Sequence, residues 1–209
     1  RVDSGMRSSD PDIFAAGDVI ETVNCVSGQA SYLPLAGPAN RQGRVAADVM
    51  MGKDRQFRGV QGTVICGLFE QTVAATGLSR KQLAAQEEIP WDTVWLHPKN
   101  HVGYYPGAQF IHMSLNYRKD DGRVLGVQAV GGEGVARRVD VLAMAIQLGG
   151  TVYDLEEAEL CYAPQFGAAK DAVNMAGMLA ANRLRGDFPS TTWAEVGNHV
   201  GPLVDAREP

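Results

Sequence analysis

Residues 110–132, FIHMSLNYRKDDGRVLGVQAVGG, constrain the fold more than any other stretch of the chain. Ile111, Met113, Leu115 and Tyr117 alternate at the period of a half-buried strand, and the run 123–132 is β-rich again. Between them Asp120-Asp121-Gly122 is a strong turn signal, since Gly accepts a positive φ and Asp can bond its own turn backbone. Further β-rich runs at 63–69 and 93–97 extend this hairpin into an antiparallel sheet.

Helices follow the sheet. In EGVARRVDVLAMAIQLGG, Val135, Val139, Leu142 and Ile146 form one stripe that ends at a Gly pair. In AAKDAVNMAGMLAANRLRG the stripe is Val173, Met175, Met178 and Leu179, ending at Gly186. Arg137, Arg138 and Asp140 read as a solvated or interface face of the first helix. Strands followed by helices make this part α+β.

Upstream, residues 12–16 read as a short apolar strand ending in Gly17-Asp18, followed by a polar loop to about Tyr32. LPLAGPANRQGRVAADVMMG then predicts a helix from about Ala36 to Met51 that Gly52 ends. Downstream, a Pro/Ser/Thr linker at 187–192 leads to a short helix opened by Thr191, Thr192 and Glu195, and PLVDAREP reads as the first strand of a further domain.

A formal net charge of -5 and a pI near 5.4 give no overall attraction to nucleic acid or to an anionic membrane. No apolar run approaches the roughly 20 residues that span a bilayer. Without an initiator Met, the chain is expected to be an excised piece or a processed product. Cys25, Cys66 and Cys161 are an odd number without CxxC, which suggests neither a disulfide framework nor a zinc site and makes a reducing, cytoplasmic setting the expectation. Cys66 and Cys161 sit in apolar sequence and read as core residues.

A carboxylate at the tip of a buried strand can accept hydrogen bonds from a sugar or ribityl hydroxyl, or it can cap its own turn, and both readings stand for Asp18. The helix near Ala36 would bring free N–H groups and a positive dipole end to the same crevice. Lys170 reads as a lysine paired with Asp171 or solvated in the first turn of a helix. Tyr104 and Tyr105, two aromatics before Pro-Gly, read as packing residues of a turn. His97 and His101 are four apart, but Pro98 and Gly103 argue against the helix that would make this metal-ligand spacing.

SSDPDIFAAGDVIE, followed by LPLAGPANRQGRVAA, resembles the second flavin-contacting motif of the pyridine nucleotide-disulfide oxidoreductases. NHVGYYPGAQFIHMSL, GRVLGVQAVGGEGVARRVDVLAMAI and LCYAPQFGAAKDAVNMAGMLAAN are similar to the dimerisation domain of the branch containing coenzyme A disulfide reductase, NADH oxidase and persulfide reductase. TTWAEVGNHVGPLVDAREP resembles the opening of a rhodanese domain. The resemblance divides the chain into a terminal segment of an FAD-binding domain at 1–55, a dimerisation domain at 56–186, and a linker with a rhodanese-like start at 187–209.

The resemblance implies that Gly17 and Asp18 bind the flavin ribityl chain and that Leu35, Ala36 and Ala39 lie under the flavin ring. Asn40 falls where coenzyme A reductases can carry a histidine near the substrate. Tyr162 and Phe166 match a YAPxF segment that reaches across a homodimer to the partner's flavin, and Lys170, Tyr104 and Tyr105 match positions lining a coenzyme A channel. The implied parent uses FAD and NAD(P)H to reduce a coenzyme A disulfide or persulfide. GxGxxG is absent from the chain, and the redox cysteine is expected upstream, so the piece alone is expected to be a homodimer with little or no FAD and no activity. An NADH oxidase, and a non-catalytic interaction module, are the alternatives.

Overall fold

Ile111–Arg118 (β6) and Val124–Gly131 (β7) form the predicted hairpin at the centre of a five-stranded sheet. The computed structural model describes residues 1–191, 193–202 and 204. Its sheet runs β3-β4-β7-β6-β5, antiparallel throughout, with β3 at Val64–Leu68, β4 at Gln71–Gly77 and β5 at Trp91–Leu96. At the turn, Arg118 and Arg123 both hydrogen-bond Asp121, and Arg118 above all holds that carboxyl down to about 2.

Helices α3 (Val135–Leu148) and α5 (Ala172–Arg185) lie against the sheet, α3 on β4 and β7 and α5 on β5 and β6. Ile111, Met113, Leu115 and Tyr117 face them with Val127 and Ala129, and this layer is the main core. The alternation predicted for β6 is incomplete, because Ser114 and Asn116 on the opposite side are buried too. Asn116 donates to Leu78 O (2.9 Å) and accepts from Thr93 Oγ1 (2.8 Å), so the segment around Leu78 covers that end of the second face. In β7 the ladder skips one residue, pairing Asn116 with Gly126 and Tyr117 with Val124, and the extra Leu125 packs with Leu78 and Leu83.

The stripe expected of α5 is displaced. Ala172, Val173, Ala176, Gly177, Ala180 and Ala181 are buried, whereas Met175, Met178 and Leu179 are only half-buried. Small residues let α4 (Val152–Glu156) approach closely. β4 escaped prediction because its hairpin with β3 turns on Phe69, a non-glycine at φ 53, and not on a Gly signal. Helices α2 (Arg80–Ala84) and α4 are too short to show a period, and their capping boxes, Ser79/Gln82 and Thr151/Asp154, were the available signal.

Residues 12–16 do not form the predicted strand. Phe14 makes a single bridge with Arg7, and Gly17–Val19 is a 3-10 turn, since an apolar run needs a neighbour along its whole length to become a strand. The polar loop contains a minimal hairpin of β1 (Thr22–Val23) and β2 (Ala30–Ser31). α1 runs Ala36–Met50, with Met51 as its C-cap and Gly52 beyond at φ 79. It buries Val45, Ala46 and Val49 against Met6 and Ile20 in a second, smaller cluster.

All three cysteines are exposed, contrary to the core placement expected for Cys66 and Cys161. Cys66 lies on edge strand β3, whose apolar residues Val64, Ile65 and Leu68 are themselves exposed. After exposed residues 186–191 comes α6 (Trp193–Val196), where Thr191 Oγ1 donates to Glu195 Oε2 at 3.0 Å. The Thr192 cap and most of the PLVDAREP strand lie outside the described residues. No described helix is long and apolar enough to cross a membrane.

Candidate functional site

Two groups of candidate residues emerge at different places. The first surrounds the start of α1. Gly17, at φ 78, donates its N–H to Gln42 Oε1 (2.8 Å), which fastens the Gly17–Val19 turn to the helix, and Ala39 lies against it. Asp18 in that turn is exposed. Leu35 is the N-cap of α1 and supplies no side-chain hydrogen bond, and the first turn holds no acidic residue. Its N–H groups therefore remain available to an acceptor. Leu35 and Ala36 open onto a cleft of about 1070 Å³, lined also by Arg41 and Arg44 of the same helix and by Ile65 and Met144 across it. Asn40 is exposed and spends its amide on Ala36 O (2.9 Å).

The second group sits where two loops meet, residues 97–110 between β5 and β6 and residues 157–171 between α4 and α5. Val102 N–H donates to Gly167 O (3.0 Å) and Tyr105 N–H to Val102 O (3.1 Å). Tyr104, Tyr105, Tyr162, Phe166 and Lys170 are all exposed on this junction. Tyr104 pushes the Tyr162 hydroxyl upward in pKa, above all through a side-chain hydrogen bond. His101 is buried beneath them, edge-on to Tyr105 with ring centroids 5.5 Å apart, its Nδ1 at 3.0 Å from Val102 O.

Beneath the exposed residues lies a buried ion pair. Arg138, expected on a solvated face, is 2% exposed. Its Nε and Nη2 donate to Asp171 Oδ1 (3.1 Å) and Oδ2 (2.7 Å), Nη2 also reaches Asn100 O (2.6 Å), and Nη1 reaches Gly134 O (3.1 Å). Arg137 adds Nη2 to Asp171 Oδ2 (2.9 Å) and Nη1 to Phe166 O (3.0 Å). Gly134, at φ 80, leaves room for the guanidinium, because a Cβ there would meet Arg138 Nη1 at 2.3 Å. Asp171 is also the N-cap of α5, accepting from Val173 N–H (3.2 Å). Burial works to raise the Asp171 carboxyl, but the hydrogen bonds and charge of Arg138, with Val173 N–H and Arg137, together hold it below the usual range.

Sequence reasoning singled out Asp18, Ala36 and Asn40 in the first group and Tyr104, Tyr105, Tyr162, Phe166 and Lys170 in the second, but neither Arg41 and Arg44 on the cleft nor the pair under the second group. The signal was present: 135, 138, 139, 142 and 146 share one helical face, so the apolar stripe of α3 carries Arg138 inward. Asp171 is engaged by the two arginines and not by Lys170, which stays exposed. None of the second group lines the cleft at the start of α1. The segment 97–101 is not helical, with one bridge from Lys99 to Phe110 and a bend at 100–101, and His97 faces His112 with Nδ1 atoms 2.8 Å apart.

Comparison with known proteins adds family evidence. The family model for the pyridine nucleotide-disulphide oxidoreductase dimerisation domain matches residues 64–173. Coenzyme A disulfide reductase from Staphylococcus epidermidis is 33% identical over 180 residues, covering 86% of this chain and 40% of that protein. Among solved structures, reduced Bacillus anthracis CoADR-RHD matches with TM-score 0.90 and 41% identity over 94% of this chain and 35% of its own. A NAD-dependent persulfide reductase from A. fulgidus matches with TM-score 0.87 and 37% identity over 91% of this chain and 35% of its own. The chain thus spans about 40% of the length of the curated relatives it matches.

Proposed function

Because the chain belongs to the pyridine nucleotide-disulphide oxidoreductase family, carrying its dimerisation domain at residues 64–173, we propose that it is the dimerising portion of an FAD-dependent NAD(P)H oxidoreductase acting on coenzyme A disulfide or persulfide. The observation that supports this reading is the separation of the two groups: among the described residues, none of the Tyr104/Tyr162 junction lines the cleft at the α1 start. A working site then needs two copies, each lending its loop junction to the other's α1 region, and a homodimer supplies that arrangement.

The residues at the α1 start suit a flavin, being an uncapped helix end beside an exposed carboxylate. When bound, FAD supplies the two-electron chemistry. Asp18 would accept hydrogen bonds from ribityl hydroxyls, held in place by Gly17 on Gln42. The N–H groups at Ala36 and Gly37 would stabilise negative charge near the ring, with Leu35 and Ala39 providing apolar contact. On the partner edge Lys170 would meet a phosphate as a point charge, while Tyr104, Tyr105, Tyr162 and Phe166 shape the channel, with Asn40 at its other wall.

Residues 1–55 serve in this reading as a segment of the FAD domain, 56–186 as the dimerisation domain, and 187–209 as a linker into a rhodanese-like domain. The deciding experiment assays the longer protein that carries this chain with NADH and NADPH against coenzyme A disulfide, coenzyme A persulfide and oxygen. Turnover of the coenzyme A substrates is expected, fastest turnover of oxygen would make it an oxidase, and no turnover of any would leave an interaction module. The 209-residue chain alone is expected to sediment as a dimer and to show no bound-flavin spectrum.

A further inference from the structure

The exposed members of the loop junction are held by atoms that are themselves buried. Tyr104 is 78% exposed, yet four residues before it Asn100 gives its carbonyl to Arg138 Nη2 at 2.6 Å. Lys170 is exposed, yet the residue beside it, Asp171, is 3% exposed and accepts from both Nε and Nη2 of Arg138. Phe166 presents its ring to solvent while its carbonyl is held by Arg137. The loop ends are closed by the same group of bonds: Asn100 exchanges hydrogen bonds with Gln109, and Val102 N–H donates to Gly167 O.

We infer that Arg138 is a positioning residue: its guanidinium joins the 97–110 loop, the N-cap of α3 and the N-cap of α5, and so sets where Tyr104, Tyr162 and Lys170 stand relative to one another. The inference rests on the reading of that edge as the contact surface for a coenzyme A-type substrate. Stability alone is a poor reason for such a pair, since a buried ion pair is often no more stabilising than apolar residues of the same volume. A planar fork addressing four acceptor atoms on three residues is, by contrast, a good device for fixing geometry, and Lys cannot reproduce it with one ammonium. Displacing a substrate-binding edge by about 1 Å can cost on the order of 100-fold in turnover efficiency, so such fixing has functional weight.

The test uses Arg138→Lys, which keeps the charge, and Asp171→Asn, which keeps an N-cap residue on α5. In the 209-residue chain, amide exchange at Val102 and Gln109 is expected to quicken about tenfold or more in both variants, while Leu115 and Val127 in the sheet keep wild-type protection. In the longer protein that carries this chain, KM for coenzyme A disulfide is expected to rise about tenfold with kcat changed less than about twofold, the pattern of lost binding geometry. Unchanged exchange at Val102 and Gln109 in both folded variants overturns the inference. So does an equal fall of kcat with unaltered KM, which would mark a merely structural pair. A wild-type longer protein that turns over neither coenzyme A substrate would instead overturn the functional reading, and the exchange experiment would still decide whether Arg138 orders the edge.

Discussion

Replacing Gly177 by Ala sets two opposing effects against each other in α5. Ala favours a helix interior over Gly by about 1 kcal/mol. A Cβ at this position, however, would lie 2.4 Å from Glu156 N, 2.7 Å from Leu155 C and 2.7 Å from Val152 O. All three are backbone atoms of α4, so no side-chain rotation relieves the clash and one helix must move. Overpacking of a well-filled interior costs about 1–3 kcal/mol, and the absence of a flexible neighbour places this case at the upper end. The net loss is then about 2 kcal/mol, which for a chain of this length lowers Tm by about 4–8 °C. Gly43, exposed in the interior of α1, is the control: a Cβ there meets nothing within 4 Å, so Gly43→Ala keeps the propensity gain and raises Tm by about 2–4 °C. Calorimetry or circular dichroism at one fixed protomer concentration measures both, since a dimer's Tm depends on concentration. A Gly177→Ala variant that melts at or above wild type would refute the close approach of α4 and α5.

Other outcomes are equally specific. Asn116→Leu removes both partners of Leu78 O and Thr93 Oγ1, and its urea midpoint should fall by the equivalent of about 1–3 kcal/mol with the m-value unchanged. The Asp171 carboxyl is held below its ordinary value, so the native state binds fewer protons than the unfolded chain. Its contribution is complete above about pH 4 and is lost as pH falls through the folded-state value, and Asp171→Asn should flatten the acid limb of a Tm–pH curve. An equal slope in wild type and variant would contradict the pair. Tyr104→Phe removes the hydrogen bond that raises the Tyr162 hydroxyl, so ultraviolet titration should find Tyr162 ionising at lower pH in the variant.

Elements whose residues carry their own periodicity could be read directly. The β6–β7 hairpin announces itself through Ile111, Met113, Leu115, Tyr117 and the Asp-Asp-Gly turn, and α3 through the spacing from Val135 to Ile146. What could not be read is what depends on a partner distant in sequence. The apolar run 12–16 looks like a strand, yet among the described residues its pairing amounts to one bridge, Phe14 with Arg7. In α5 the large residues Met175, Met178 and Leu179 advertise a core face, but helix–helix proximity rewards Ala176, Gly177 and Ala180. The exposed candidate residues were legible as motif members, whereas Arg138 and Asp171, 33 positions apart, acquire their meaning only when two loops meet.

Leu125 illustrates how a fold with helices on one side can still seal part of the other. As a surplus residue in the ladder, it changes neither the pairing of Tyr117 with Val124 nor that of Asn116 with Gly126. Its side chain is thereby free to join Leu78 and Leu83, and its carbonyl accepts from Leu78 N–H at 2.8 Å. The strand acts there as a rivet through the sheet, with Val124 as the head on the helix side and Leu125 as the head on the reverse. Deleting this one residue would leave every remaining strand pair in register and remove one of the contacts that hold α2 and its flanks on the reverse face, the bond from Asn116 to Leu78 O being another.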